Sequence, residues 1–93
     1  MAKTKQASGP VESILGVSAS RAGELLGVLT ERERQVADLM ASGTKNRKIA
    51  KELGISPKTL DIHRANLKRK LKCQTSVDVA RVVIADLLGK HLS

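Results

Sequence analysis

A chain of 93 residues has room for one hydrophobic core and not for two. It lacks Phe, Tyr and Trp, so the core must be built from Ala, Val, Leu, Ile and Met, each large side chain worth roughly 1.5–3 kcal/mol when buried; an all-α fold of modest stability is expected. The net charge of +8 is local: Lys45 to Lys72 holds ten basic residues and two acidic ones, Glu52 and Asp61, while the remainder is balanced. Such a field selects a polyanionic partner, although a solvated lysine-rich helix face would look the same. The single cysteine, Cys73, excludes an internal disulfide, and no apolar run reaches the roughly 18 residues of a membrane span. Without an apolar stretch behind its first lysines, the N-terminus does not read as a signal peptide, and a cytoplasmic location is expected.

In chain order, Met1 to Pro10 is polar, ends in Gly9-Pro10 and reads as a disordered end. Val11 to Leu29 repeats apolar residues at helical spacing but is interrupted by Gly16, Gly23 and Gly27, so residues 1–28 are expected to form a tail or linker that is partly helical. Residues 29–93 carry the domain. Thr30-Glu31-Arg32-Glu33 is a capping box, followed by a helix with Val36, Leu39 and Met40 on one face and Gly43 at its stop. Thr44 is positioned to cap a second helix from about Lys45 to Leu53, which Gly54 ends. Ser56-Pro57 opens a third, with serine at N-cap and proline at N1, running to about Leu71 or Lys72. Thr75, with Asp78 three residues on, opens a fourth that ends near Gly89.

The second and third of these four helices have the makings of a helix-turn-helix. Ala50 is small enough for a close crossing, Gly54 tolerates the positive φ of a tight turn, and Ile49, Leu53, Ile55 and Leu60 point inward. Helical spacing then puts Lys58, Asp61, Ile62 and Ala65 on the outer face of the third helix, where a major groove could receive them. A plain helical hairpin in a bundle is the alternative. His63 falls on an inward position and fits a partly buried, hydrogen-bonded role better than a phosphate ligand. His63, His91 and Cys73 have no metal-ligand spacing, so neither a metal nor another cofactor is expected. Cys73 reads as a small buried apolar residue.

Leu29-Thr30-Glu31-Arg32-Glu33, Gly43 to Ala50, Leu53 to Arg64 and Lys70-Leu71 together resemble the LuxR/FixJ-type helix-turn-helix domain of bacterial transcription regulators, over Leu29 to about Leu88. The resemblance implies a four-helix domain whose second and third helices read DNA and whose fourth dimerises. It places Asp61, Ile62 and Ala65 nearest the base edges and Asn46, Lys48, Lys58, Thr59, Arg64 and Arg69 among the phosphates; Lys68, on the same basic stretch, joins them. Asp61 stands where some relatives are basic: it can accept from cytosine N4, or it can pair along the helix with Lys58 or Arg64. Lys72 stands where many relatives have glycine. Relatives usually carry an upstream sensing or phosphoacceptor module, and the residues before Leu29 are too few to hold one.

The fourth helix is apolar around most of its circumference. If Ala80, Val83, Ile84 and Leu87 cover the core, then Val79, Val82 and Asp86 face outward and supply a homodimer contact; the alternative is that Val11 to Val28 folds over that face. The expected partners are double-stranded DNA, a second copy of the chain on DNA and, for a transcription regulator, RNA polymerase. A sigma-factor-like promoter module and a basic protein-interaction bundle are rival readings. RNA binding lacks aromatic stacking platforms, and no nucleophile–base–orienter set supports an enzyme.

Overall fold

The structure is a computed structural model that describes residues 15–92, the side chain of Leu92 excepted. The expectations for Met1 to Pro10, and for Val11 and Ile14, lie outside the described residues. Among those described the fold is all-α, with five helices: α1 (Ala19–Leu26), α2 (Glu31–Ala41), α3 (Asn46–Leu53), α4 (Pro57–Leu71) and α5 (Ser76–Leu92). The four helices anticipated from the sequence are α2 to α5, and α1 precedes them.

Each start has a local cause. The Thr30 hydroxyl accepts from the Glu33 amide at 3.1 Å, and the Glu33 carboxylate accepts from the Thr30 amide at 3.0 Å, which closes the capping box of α2. Ser56 Oγ accepts from the Thr59 amide at 3.0 Å, with Pro57 at the first helical position. At α5, Thr75 Oγ1 accepts from the Asp78 amide at 3.1 Å while the Asp78 carboxylate accepts from the Thr75 amide at 3.3 Å. The expected cap at Thr44 is not formed: its hydroxyl is hydrogen-bonded to Ser42 Oγ at 3.0 Å, and Lys45 is the N-cap of α3 with no side-chain bond to the helix.

Three helix ends turn through left-handed residues, Gly43 (φ 80°), Gly54 (φ 66°) and Lys72 (φ 58°). In each the amide of the following residue reaches back five positions, Thr44 to Leu39 O (3.0 Å), Ile55 to Ala50 O (3.0 Å) and Cys73 to Lys68 O (2.8 Å). The bond pattern is shared, but only Lys72 carries a Cβ into a conformation costing an L-residue about 1–2 kcal/mol.

Ile49, Leu60, Leu67, Val36 and Val79 are the largest fully enclosed side chains, contributed by α2, α3, α4 and α5. Ala22 and Leu26 of α1 are buried with them, so α1 belongs to the same core. Its main packing partner is α5, which lies between α1 and α2.

That arrangement overturns the expected facing of the last helix. Val79, Val82 and Asp86 are only 0%, 6% and 5% exposed, whereas Ile84 and Leu87 are 36% and 51% exposed. The first three cannot form a surface contact with a second chain in this fold. The cause is the crossing of α1 over α5, where small residues meet. A methyl on Gly89 would overlap the side chain of Ala19, and one on Gly23 would touch Asp86 Oδ1 at 3.4 Å. The buried Asp86 carboxylate is compensated by Arg34 at 3.3 Å and Lys90 at 3.1 Å. The helix does not stop at Gly89 but continues to Leu92; this glycine serves the close approach of α1.

Candidate nucleic-acid interface

The turn at Gly54 fixes how α3 presents α4. Ala50, 5% exposed, lies in the core beside Ile49, and Leu53 and Ile55 pack half-buried against it. With Leu60, Leu67 and Leu71 buried on one side of α4, the opposite side is turned out. Lys58, Asp61, Ile62, Ala65 and Arg69 are all exposed there, and Ile62 is 54% exposed.

Around this face the remaining candidates take different positions. Asn46 and Lys48 are exposed at the start of α3. Thr59 is half-buried, and its hydroxyl accepts from Ser56 Oγ at 2.9 Å. Lys68 is half-buried. Arg69 donates to Asn66 Oδ1 at 3.4 Å, and Arg64 donates from Nη2 to Ser76 Oγ at 2.9 Å. His63 is half-buried as expected, but its ring makes no hydrogen bond to another described residue. Cys73 is half-buried too; its thiol donates to Leu71 O at 3.5 Å, and burial, aided by the nearby Asp78 charge, pushes its pKa up.

Asp61 forms no ion pair among the described residues, neither with Lys58 nor with Arg64. It sits instead on the rim of a depression of about 260 Å³ between the starts of α3 and α4, lined by Asn46, Arg47, Pro57, Leu60 and Asp61. The acceptor atoms of Asp61 are therefore free for an external donor. Arg47 was missed as a site residue by sequence reasoning, although its place in the first turn of α3 beside Asn46 was a usable signal. It also joins Lys45, Lys48 and Lys51 around a second exposed concavity on α3.

One basic residue of the stretch is withdrawn from the surface charge. Lys70 reaches Glu33 at 2.8 Å, tying the end of α4 to the first turn of α2. Burial would raise the Glu33 pKa, but the Lys70 ammonium and the donors of Thr30 together outweigh it and hold the carboxyl below its ordinary value of 4.5. The Glu33 side chain thus completes a cap and fixes the end of α4 against α2.

Comparison with known proteins places this geometry. The family model described as bacterial regulatory proteins, luxR family, matches residues 27–83, which include all of α2, α3 and α4. The chain is 55% identical over 53 residues to the transcriptional regulatory protein UhpA of Escherichia coli (strain K12), covering 57% of this chain and 27% of UhpA. It is 41% identical over 64 residues to the transcriptional regulatory protein FixJ of Rhizobium meliloti (strain 1021), covering 69% of this chain and 31% of that protein. The crystal structure of full-length FixJ from B. japonicum superposes with a TM-score of 0.68 at 29% identity, over 85% of this chain and 38% of FixJ. The chain spans less than a third of the length of the two curated relatives. With its helix order, its turn at Gly54 and its basic outer face all within the matched span, the chain belongs to the luxR family of bacterial regulatory proteins.

Proposed function

We propose that this chain binds duplex DNA sequence-specifically as the DNA-reading part of a bacterial transcription regulator, with α4 in the major groove. The observation that carries the reading is the outward face of α4. Asp61, Ile62 and Ala65 are exposed, and the same two helices carry the exposed Asn46, Arg47, Lys48, Lys58 and Arg69 and the half-buried Arg64 and Lys68. The cations, with Thr59, contact phosphates and supply most of the affinity without sequence information. Asp61 accepts from a cytosine N4 amine, and Ile62 and Ala65 make apolar contact with thymine methyl groups, each good contact discriminating by about 1–3 kcal/mol. This is recognition and not catalysis, and it takes place in the cytoplasm, where bacterial DNA and RNA polymerase, a further partner, are found.

Self-association on DNA uses the other face of α5 from the one the sequence suggested. Ile84 and Leu87 border a groove of about 310 Å³ that α5 forms with α2, lined also by Arg34, Asp38, Ala41, Ser42 and Val83. Two copies joined there would read half-sites spaced by about one helical turn, roughly 10 base pairs. Selection of bound sequences from a random duplex pool tests both parts. A paired motif at that spacing is expected, and Asp61→Ala should relax preference at one base pair per half-site. Recovery of no shared motif would refute sequence-specific reading.

A further inference from the structure

Five of the seven described arginines are held by side-chain oxygens of two kinds, while Arg32 and Arg47 make no side-chain bond to another described residue. Arg21, Arg34 and Arg81, all outside α3 and α4, are each bonded to carboxylates, which cancel their charge. Arg64 and Arg69 on α4 are held by neutral oxygens, those of Ser76 and Asn66, and keep theirs. The Arg64 bond is the longer-range of the two. It crosses from α4 to the first residue of α5, twelve positions on, and the Nε atom of the same guanidinium is enclosed with no hydrogen-bond partner. The reciprocal Thr75–Asp78 bonds anchor the backbone from which the Ser76 hydroxyl projects. A hydroxyl on an anchored backbone thus accepts from one arm of a planar five-donor fork and leaves its charge uncompensated.

We propose that Ser76 is a positioning residue for DNA binding: its hydroxyl pre-orders the Arg64 guanidinium for a backbone phosphate at the junction of α4 and α5. The proposal rests on the DNA-reading function proposed above. Its physical content is entropic, since a free arginine must surrender rotamer freedom when it grips a phosphate and a pre-ordered one has already done so. Ordering one such side chain is worth roughly three- to tenfold in affinity. Ser76 contributes no charge of its own, so it acts on affinity without altering the number of phosphates neutralised.

The test is a double-mutant cycle on the full chain, read by fluorescence anisotropy with a labelled mixed-sequence duplex across a salt series. Ser76→Ala should weaken binding roughly three- to tenfold with an unchanged slope of log affinity against log salt, because the Arg64 charge remains. Arg64→Ala should weaken binding and reduce the slope by about 0.9, the value for one phosphate. Ser76→Ala added to Arg64→Ala should cost nothing further, and Ser76→Thr, which keeps the hydroxyl, should bind like the unaltered chain. Equal losses from Ser76→Ala in both backgrounds, or no loss in either, would overturn the proposal while leaving DNA binding standing. Absence of salt-dependent duplex binding by the unaltered chain would overturn both.

Discussion

Gly89→Ala is the substitution whose sign reports whether α1 packs as described. In an isolated helix the change is favourable by about 0.8–1.0 kcal/mol, because alanine loses less backbone entropy than glycine. Here the added methyl would fall on the side chain of Ala19, which has no rotamer through which to yield. Overpacking of this kind costs typically 1–3 kcal/mol, so about 2 opposes about 1 and a net loss of about 1 kcal/mol is expected. For a domain of this size that lowers Tm by about 4–8 °C in a circular-dichroism melt. Gly23→Ala is the control on the facing helix. Its methyl would meet Asp86 Oδ1 at 3.4 Å, an ordinary contact, so the propensity gain should survive and Tm should rise. In an Ala19→Gly background Gly89→Ala should become stabilising as well. If Gly89→Ala raised Tm in the unaltered chain, α1 would not lie against α5, and the burial of Val79, Val82 and Asp86 would lose its explanation.

Lys72→Gly should stabilise the domain by about 1 kcal/mol by removing a Cβ from a left-handed C-cap, seen as a higher urea midpoint at unchanged m-value. Because the folded Glu33 pKa is depressed, its stabilisation is complete above the ordinary value of 4.5 and is lost as pH falls through the lower folded value. The stability difference between the unaltered chain and Glu33→Gln should therefore be constant above that pH and shrink below it, and a pH-independent difference would argue against the Lys70–Glu33 pair. Lys68→Ala and Arg69→Ala should each weaken binding to all duplex sequences alike and flatten the salt dependence by about 0.9, whereas a change in base preference would place them at base edges instead.

The elements most legible in the sequence were those that local chemistry decides. Thr30 with Glu33, Ser56 with Pro57, and Thr75 with Asp78 mark helix starts by bonds spanning three residues, and Gly54 marks a turn by its φ. What was illegible depends on packing between distant segments. The facing of α5 could not be read from periodicity because its apolar residues surround the helix, and a carboxylate in their midst looked like a surface residue. Asp86 is buried because Arg34, 52 residues away, and Lys90 meet it beneath α1. Gly16, Gly23 and Gly27 weakened the helical pattern before Leu29, yet Ala19–Leu26 is helical, and it is Gly89 on α5 that makes room for it against Ala19. At the interface, the outward set on α4 followed from spacing, while the removal of Lys70 by Glu33 and the place of Arg47 beside Asp61 needed the tertiary structure.

Backbone amide chemical-shift mapping during titration with a selected duplex bears most directly on how this chain meets DNA. Shifts should concentrate at Asn46 to Lys48, at Lys58 to Ala65, and around Arg69 and Ser76, with a second set at Ile84 and Leu87 from self-association, and with α1 and the inner stripe of α5 little changed. Perturbations centred on α1 or on the groove between α2 and α5, with the outer face of α4 silent, would contradict the account.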